Sequence, residues 1–281
     1  MGKDITRFFI LTMILSFCVC GGKGELLDLR HRKINVVDTA YNEVVYVHIA
    51  VDPYKKNPRV TYEMLSIGKR FHKYGGYDDY QMDSTFMSDP DFNPNHEEYV
   101  EWGRQFEDTR QDVVINLETN TIDYYYNKFW YCNRYSEPIP EFAWELEDGE
   151  EDVIGYRCRK ARVKWRGREW TAWYSDIPVD AGPWKFRRLP GLILKMEDAT
   201  GQHKIEAIGT KDDVYPMGYV DSLYSRRTRE FAQKAEKDYC ENFGKIIADS
   251  GMLLEPAEEL ERLRRSKKRR FYAPIEIVGA E

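Results

Sequence analysis

The sequence lacks the short motifs by which common catalytic centres and nucleotide sites are recognised. It contains no GxSxG, no phosphate-binding GxxxxGK[ST] loop and no GxGxxG fingerprint. Its five histidines are scattered without the spacing of a metal site, and no CxxC pair occurs. We therefore expect neither a metal nor a cofactor, and we expect the protein not to be an enzyme of a familiar class.

Long apolar runs are missing except near the N-terminus. Phe8 to Val19 is a mainly apolar run, interrupted by Thr12 and Ser16, but it is shorter than the about 20 residues that a membrane-spanning helix needs. Lys3 and Arg7 precede it and small residues follow it, which is the order found in a secretory signal. We expect residues 1–22 to be a signal peptide and the protein to be exported.

Cysteine is scarce, with five in the chain. Cys18 and Cys20 belong to the expected signal, and the bulky residue before each one favours simple cleavage over lipidation. Cys132, Cys158 and Cys240 then remain, which allows one disulfide in an oxidising compartment. Cys132 and Cys158 both lie in strand-like segments, so we expect this pair to form the bond.

An excess of positive charge is also absent, since the net charge is -6. Without the expected signal, which carries a net +1, the charge is -7. Nucleic-acid binding needs a basic surface that neutralises phosphates, so we expect no nucleic-acid partner. Tyrosine, in contrast, is abundant, with 20 residues. Such an excess is typical of β-sheets, and the alternative is contact with a glycan or a lipid.

Alternation of apolar and polar residues predicts an antiparallel sheet. Tyr156–Trp165 and Arg168–Ser175 are joined at Arg166-Gly167, a two-residue turn in which glycine supplies a positive φ. Along the first of these strands apolar residues alternate with basic ones, so one face is buried and the other meets water. Further strand-like segments are 43–51, 59–67, 112–117, 121–126, 192–197 and 204–208.

The last quarter of the chain has helical periodicity. Ser222–Ser250 carries apolar residues at three-to-four spacing, and Pro256–Arg270 has its acids first and its bases last, which suits the helix dipole. A short apolar stretch, Phe271–Val278, follows. We expect residues 23–221 to form a mainly β domain, a curved antiparallel sheet shaped as a half-barrel or open barrel. Residues 222–281 would pack their helices and a terminal strand on it.

The second predicted helix is strongly basic toward its end. Its bases are Arg262, Arg264, Arg265, Lys267, Lys268, Arg269 and Arg270. These residues are candidates for contact with anionic lipid headgroups at a membrane surface. The alternative, which we prefer, is the solvated face of a C-terminal helix.

The segment from Ile154 to Leu194 carries a dense pattern of spaced residues. It reads Ile154-Gly155-Tyr156-x-Cys158, then Trp170-x-Ala172-Trp173-Tyr174, then Gly182-Pro183-Trp184-Lys185-Phe186, then Leu189-Pro190-Gly191-Leu192-Ile193-Leu194. This pattern resembles the GLPGLI family of exported proteins from Gram-negative bacteria. Arg188 departs from the family motif, which begins with a glycine that eases a tight turn. The resemblance implies a place in the periplasm or at the outer membrane, and it implies no activity.

The resemblance and the missing motifs together favour a non-catalytic envelope protein. It would bind a hydrophobic or envelope-derived ligand on the concave face of the sheet, or assist outer-membrane assembly, with a lipid, a glycan or an outer-membrane protein as partner. The candidate wall residues are Trp165, Trp170, Trp173, Trp184 and Leu192. One alternative is a hydrolase with an unfamiliar active site, which a polar cleft holding His203 or Cys158 beside an acid would favour. Cys158 as nucleophile with His203 as base is conceivable, but a disulfide-bonded or buried strand cysteine is preferred. Another alternative is an interaction scaffold with a solid core.

Overall fold

The computed structural model describes residues 35–81, 109–128, 131–212, 214–219, 224–251 and 256–280. The expected signal peptide, residues 1–22, lies outside the described residues. Among the residues that are described, no helix combines the length and the apolar character that crossing a membrane requires.

Thirteen strands of the described residues form one open sheet. They are β1 (Asn35–Ala50), β2 (Arg59–Gly68), β3 (Phe71–Gly76), β4 (Thr109–Asn116), β5 (Thr121–Lys128), β6 (Tyr131–Pro138), β7 (Glu145–Val153), β8 (Tyr156–Trp165), β9 (Arg168–Tyr174), β10 (Ile193–Asp198), β11 (His203–Lys211), β12 (Tyr215–Tyr219) and β13 (Ser225–Arg226). Their order is β13-β6-β5-β4-β3-β2-β1-β11-β10-β9-β8-β7, and β12 pairs with the first part of β1. All neighbours are antiparallel except β13 and β6. The predicted mainly β fold with an open antiparallel sheet is confirmed.

The long strand β1 lies at the centre of this sheet. It pairs with β2 along one edge, and with β12 and then β11 along the other. Its second half alternates strictly, so that Tyr46, His48 and Ala50 are buried while Val47 and Ile49 are half-buried. The side chains that β1 contributes to the interior therefore include a histidine between two apolar residues.

The sheet is curved, and a loop links its two arms across the concave side. One arm is β4–β6 and the other is β8–β10. Between β9 and β10 runs a loop of residues 175–192, here called the β9–β10 loop, and it bridges the arms. In this loop the Trp184 ring packs edge-on against Tyr124 of β5, with 5.5 Å between ring centroids. The Lys185 ammonium donates to the Tyr135 hydroxyl of β6 at 2.8 Å. The predicted curved sheet thus encloses a core from both arms.

Three helices follow the sheet in the described part of the chain: α1 (Arg229–Glu241), α2 (Phe243–Asp249) and α3 (Ala257–Arg265). Thr228 caps α1, because its hydroxyl accepts a hydrogen bond from the Phe231 amide at 3.2 Å. The single predicted helix over Ser222–Ser250 is divided at Asn242, which caps the end of α1. The predicted helix over Pro256–Arg270 ends at Arg265.

Residues 269–280 form an extended segment that we call the C-terminal strap. Within these described residues there is no strand, in contrast to the terminal strand that the sequence predicts. Isolated hydrogen bonds hold the strap instead. The Tyr272 amide donates to the Asp52 carboxylate at 3.0 Å, and the Ile277 amide donates to the Arg166 carbonyl at 3.1 Å. The strap therefore crosses from the tip of the β1–β2 hairpin to the β8–β9 turn.

Candidate functional site

A cavity of about 230 Å³ lies between the concave face, α1 and the C-terminal strap. Its aromatic lining comes from four strands, the β9–β10 loop and the strap: Tyr62, Tyr74, Tyr124, Tyr126, Tyr135, Trp184, Phe271 and Tyr272. Small-molecule sites usually measure about 300–1,000 Å³, so this cavity suits a small ligand. The tyrosine walls present both ring faces and hydroxyl groups.

A chain of hydrogen bonds forms one wall of the cavity. The Pro274 carbonyl can only accept, so His203 donates to it from Nε2 at 3.2 Å. Burial lowers the pKa of His203 to about 3, which keeps its ring neutral and makes its Nδ1 an acceptor. His48 Nε2 donates to that Nδ1 at 3.0 Å, and His48 Nδ1 lies 2.9 Å from a Glu63 oxygen. The Tyr74 hydroxyl donates to the other Glu63 oxygen.

These hydrogen bonds favour the charged form of Glu63. Burial opposes a charge on Glu63, but the facing His48 and the hydrogen bonds from His48, Tyr74 and Thr61 lower the pKa of Glu63 overall. Glu63 is therefore a carboxylate, and His48 Nδ1 lies within hydrogen-bond distance of it. All four ring nitrogens of the two histidines are engaged, so neither ring has a lone pair with which to take a proton from a ligand. This series of hydrogen bonds stabilises the wall of the cavity and is poorly suited to acid–base chemistry.

A buried ion cluster joins the strap to both arms of the sheet. Lys185 is fully buried, and its ammonium lies 2.6 Å from Glu276 of the strap and 2.7 Å from Glu137 of β6. Arg166 of the β8–β9 turn contacts the same two carboxylates, and the Trp184 indole N–H donates to Glu276 at 2.9 Å. Burial opposes the charge on Glu276, but Lys185 and Arg166 hold the pKa of Glu276 at about 2.

Two residues of the β9–β10 loop adopt a left-handed backbone conformation. Trp184 has φ 58° and Arg188 has φ 71°. Such a conformation is strained for a large side chain, and it persists only where the surroundings enforce it. At Trp184 the surroundings are the bond to Glu276 and the contact with Tyr124. At Arg188 the φ angle is one that glycine adopts freely, so the arginine occupies a backbone position that favours glycine.

Of the five predicted wall residues, only Trp184 lines the cavity. Trp165, Trp170 and Leu192 are buried in the hydrophobic core, where they pack against other core side chains. Trp173 packs against the edge of that core and is partly buried. The structure therefore assigns most of the tryptophan pattern to packing and leaves the cavity wall to tyrosines.

One pattern in the sequence could have identified two of these tyrosines as neighbours on one face of a strand. In β5 the residues Tyr124 and Tyr126 are spaced by two, which places both on the same face of the strand. For Glu63 and Gln233 no local pattern exists, because they reach the cavity from β2 and α1.

Most of the basic candidates near the C-terminus contact side chains of α3 itself or of α1 and α2. Those with an ion pair or a ring contact are Arg262, Arg264, Arg265, Arg269 and Arg270. Arg264 joins α3 to α2 through Asp249 at 2.7 Å. Lys267 and Lys268 are exposed. These contacts favour the solvated face of a helix, and the membrane-surface role stays a prediction.

The predicted disulfide between Cys132 and Cys158 is wrong. Cys158 is a free, fully buried thiol of β8, and its Sγ lies 3.4 Å from the Tyr156 carbonyl. Cys132 lies on β6, in the other arm of the sheet, and eight strands separate β6 from β8 in the sheet order. Both segments are strands, as the sequence predicts, but the Cys158 thiol forms no disulfide.

Cys158 is also poorly placed to act as a nucleophile. Burial, and after it the carboxylates of Asp152 and Glu151, raise the pKa of the thiol to about 11. The thiol is therefore protonated at neutral pH, and only the thiolate is nucleophilic. Arg157, one of the two arginines flanking Cys158, turns away to pair with Glu150. Within the described residues, no three His, Cys, Asp or Glu side chains lie close enough together to hold a metal ion.

Comparisons with known proteins give only distant similarity. No family model matches the sequence, and no curated protein matches it. A structure of PNGF-II in the P21 space group is similar with a TM-score of 0.45 and 14% identity, covering 70% of this chain and 33% of that chain. A structure of PNGF-II in the C2 space group gives 0.46 and 13%, covering 70% and 32%. The chain thus spans about a third of these structures, and similarity at this level assigns no function.

Proposed function

We propose that this protein is a non-catalytic binding protein of the Gram-negative cell envelope that holds a small ligand in the cavity beneath the C-terminal strap. The observation that carries the proposal is a buried acceptor without a partner on a residue that lines the cavity. Gln233 lines the cavity, and its Oε1 is buried without a hydrogen-bond partner among the described residues. An unsatisfied buried acceptor costs about 1–3 kcal/mol, which a donor on a bound ligand would recover.

The envelope location is supported by the sequence. The apolar run from Phe8 to Val19 has the order of an export signal, and the segment from Ile154 to Leu194 resembles the GLPGLI family of exported proteins. These are the two grounds for placing the protein in the periplasm or at the outer membrane.

The cavity chemistry favours a polar ligand over an acyl chain. Its walls carry tyrosine hydroxyls and several carboxylates among tyrosine rings and apolar side chains, and the tryptophans expected to hold a hydrophobic ligand lie mostly in the core. Its volume of about 230 Å³ favours a ligand on the scale of a single sugar ring or one amino-acid side chain. We therefore keep the expected binding role, and we propose a small polar ligand in place of the expected hydrophobic one.

A hydrolase is the weaker candidate. His203 uses both of its ring nitrogens in the hydrogen-bonded chain, and the Cys158 thiol is buried and protonated. Catalysis by this pair needs a histidine with a free nitrogen beside an accessible thiol. Neither condition is met.

Native mass spectrometry of protein purified gently from a Gram-negative envelope tests the proposal. We expect a small-molecule adduct on the wild type that is lost on denaturation. Ala273 lines the cavity, so Ala273→Trp fills the space and should abolish the adduct. Ala199, an exposed alanine in the β10–β11 turn, provides the matched control, and Ala199→Trp should keep it. A wild type without any adduct, or an adduct that Ala273→Trp leaves unchanged, would contradict the proposal.

A further inference from the structure

Three tyrosine hydroxyls on the cavity lining make no hydrogen bond within the described part of the chain. They belong to Tyr124 and Tyr126 of β5 and to Tyr272 of the C-terminal strap. Tyr124 is 4% exposed and Tyr126 is 2% exposed, and yet none of the three hydroxyl oxygens is completely buried. Since Tyr124 and Tyr126 are otherwise buried, the accessible surface of their oxygens lies at the cavity, where a ligand can reach it.

The three hydroxyls lie close together and keep their protons. Burial, and after it the Glu236 carboxylate, raises the pKa of each tyrosine above the usual value. Tyr126 also contributes to the raised pKa of Tyr124, and Tyr272 contributes to that of Tyr126, which locates the three groups near one another. A protonated phenol donates one hydrogen bond and can accept others, so each hydroxyl offers a ligand both kinds of bond.

The charged side chains of the lining already have partners in the protein. The carboxylates of Glu63 and Glu276 accept the bonds described above. Glu236 accepts from the Gln111 amide at 3.1 Å, and the remaining charged residues of the lining also have interactions within the chain: Arg59, Asp78 and Asp79. A charged group on a ligand would lose its hydration without gaining a free counter-charge, which is costly. The lining therefore favours an uncharged ligand.

The three phenol hydroxyls favour a ligand with several hydroxyl groups of its own. A hydrocarbon would displace water from the phenols without replacing its hydrogen bonds, and a ligand with one hydroxyl could replace only part of them. Hydroxyl groups rotate and can both donate and accept, so several on one compact ring could pair with Tyr124, Tyr126 and Tyr272 together. The same hydroxyls are donors, which the unpartnered Gln233 Oε1 requires. A single ring also suits the cavity volume of about 230 Å³.

We infer that the ligand of this cavity is an uncharged ring that bears several hydroxyl groups, a monosaccharide or a cyclitol, and that these hydroxyls bind to those of Tyr124, Tyr126 and Tyr272. This inference rests on the proposed function, because it names the ligand class of the same cavity. It concerns the chemistry of the ligand, whereas the proposed function concerns only whether a small polar ligand is bound.

Isothermal titration calorimetry with matched probes tests the inference. Glucose, galactose, mannose and myo-inositol are the hydroxylated rings, and cyclohexanol is a ring of the same size with a single hydroxyl. Glucosamine and glucuronate carry a positive and a negative charge on a ring of the glucose type. We expect the best hydroxylated ring to bind about tenfold or more tightly than cyclohexanol, and glucose to bind at least as tightly as its two charged counterparts.

Variants from tyrosine to phenylalanine separate binding from stability. Tyr126→Phe removes a hydroxyl and keeps the ring, so it should weaken the best probe by about two- to tenfold. Its unfolding midpoint should not fall, because this hydroxyl makes no hydrogen bond among the described residues. Tyr272→Phe is a second such variant, on the strap. Tyr54→Phe is the matched control, at a tyrosine that is 73% exposed and outside the lining, and it should leave the affinity unchanged.

The outcomes of the titrations distinguish this inference from the proposed function. If cyclohexanol binds as tightly as the best hydroxylated ring, or a charged sugar binds more tightly than every uncharged one, the inference is overturned and the proposed function stands. Unchanged affinity in both Tyr126→Phe and Tyr272→Phe would also overturn it. If no probe binds at millimolar concentration the inference fails, and the adduct in the native mass spectrum then decides the proposed function separately.

Discussion

Removal of the charge on Glu276 is expected to destabilise the protein strongly, because it leaves the fully buried Lys185 with an incomplete set of partners. Breaking a buried ion pair from one side costs about 3–5 kcal/mol. The fall in the pKa of Glu276 from 4.5 to about 2 gives an independent figure of about 3 kcal/mol. For Glu276→Gln we therefore expect a loss of about 3 kcal/mol in the free energy of unfolding at pH 7.

The same pKa sets a pH dependence. Since the pKa of Glu276 is depressed in the folded protein, its stabilisation is fully present above pH 4.5 and is lost as the pH falls through about 2. The wild type should thus lose stability over this range. Glu276→Gln should lack that part of the loss, so the two proteins should converge in acid.

Urea unfolding followed by tryptophan fluorescence at pH 7 and at lower pH measures both effects. In Lys185→Met/Glu276→Gln the uncompensated ammonium is gone, so this double variant should be more stable than Glu276→Gln alone. Glu230→Gln removes an exposed ion pair with Lys234 and should leave the unfolding midpoint unchanged. A Glu276→Gln protein within about 0.5 kcal/mol of the wild type would refute the reasoning.

Two other results are expected. Arg188→Gly should raise the free energy of unfolding by roughly 0.5–1 kcal/mol in urea titrations, because glycine adopts the left-handed backbone of this position without strain. A lower unfolding midpoint than that of the wild type would contradict this, because the contacts of the arginine side chain would then outweigh the strain. Cys158 should resist iodoacetamide in the folded protein at pH 8 and react in urea, because the pKa of its buried thiol is raised to about 11. The mass of its tryptic peptide reports the labelling. Labelling at equal rates in the folded and unfolded states would contradict the burial of the thiol.

The strands with strict alternation could be predicted closely. The predicted segments Tyr156–Trp165 and Arg168–Ser175 differ from β8 and β9 by one residue at most, since a two-residue turn fixes their register. β7 was missed because its acidic sequence resembles a solvated loop. The structure stabilises it through cross-strand pairs with β8, such as Glu147 with Lys160 at 2.8 Å.

The candidate site could be predicted only in part, because its members are distant in sequence. Asp52 binds the strap at Tyr272, 220 residues further along the chain. Likewise, the partner of Lys185 is Glu276, in a segment that reads as an apolar strand. Local patterns report the periodicity of one element, whereas these contacts depend on how the whole sheet curves. The sequence suggested tryptophans as wall residues because of their residue type. The fold instead places mainly tyrosines at the cavity.

The central claim is that the cavity beneath the C-terminal strap holds a small ligand. A crystal structure of the protein as purified from a Gram-negative envelope, without added ligands, tests it most directly. We predict electron density for a bound small molecule in the cavity, with a donor atom within hydrogen-bond distance of Gln233 Oε1. A cavity that contains only ordered water, with a water molecule on Gln233 Oε1, would contradict the account.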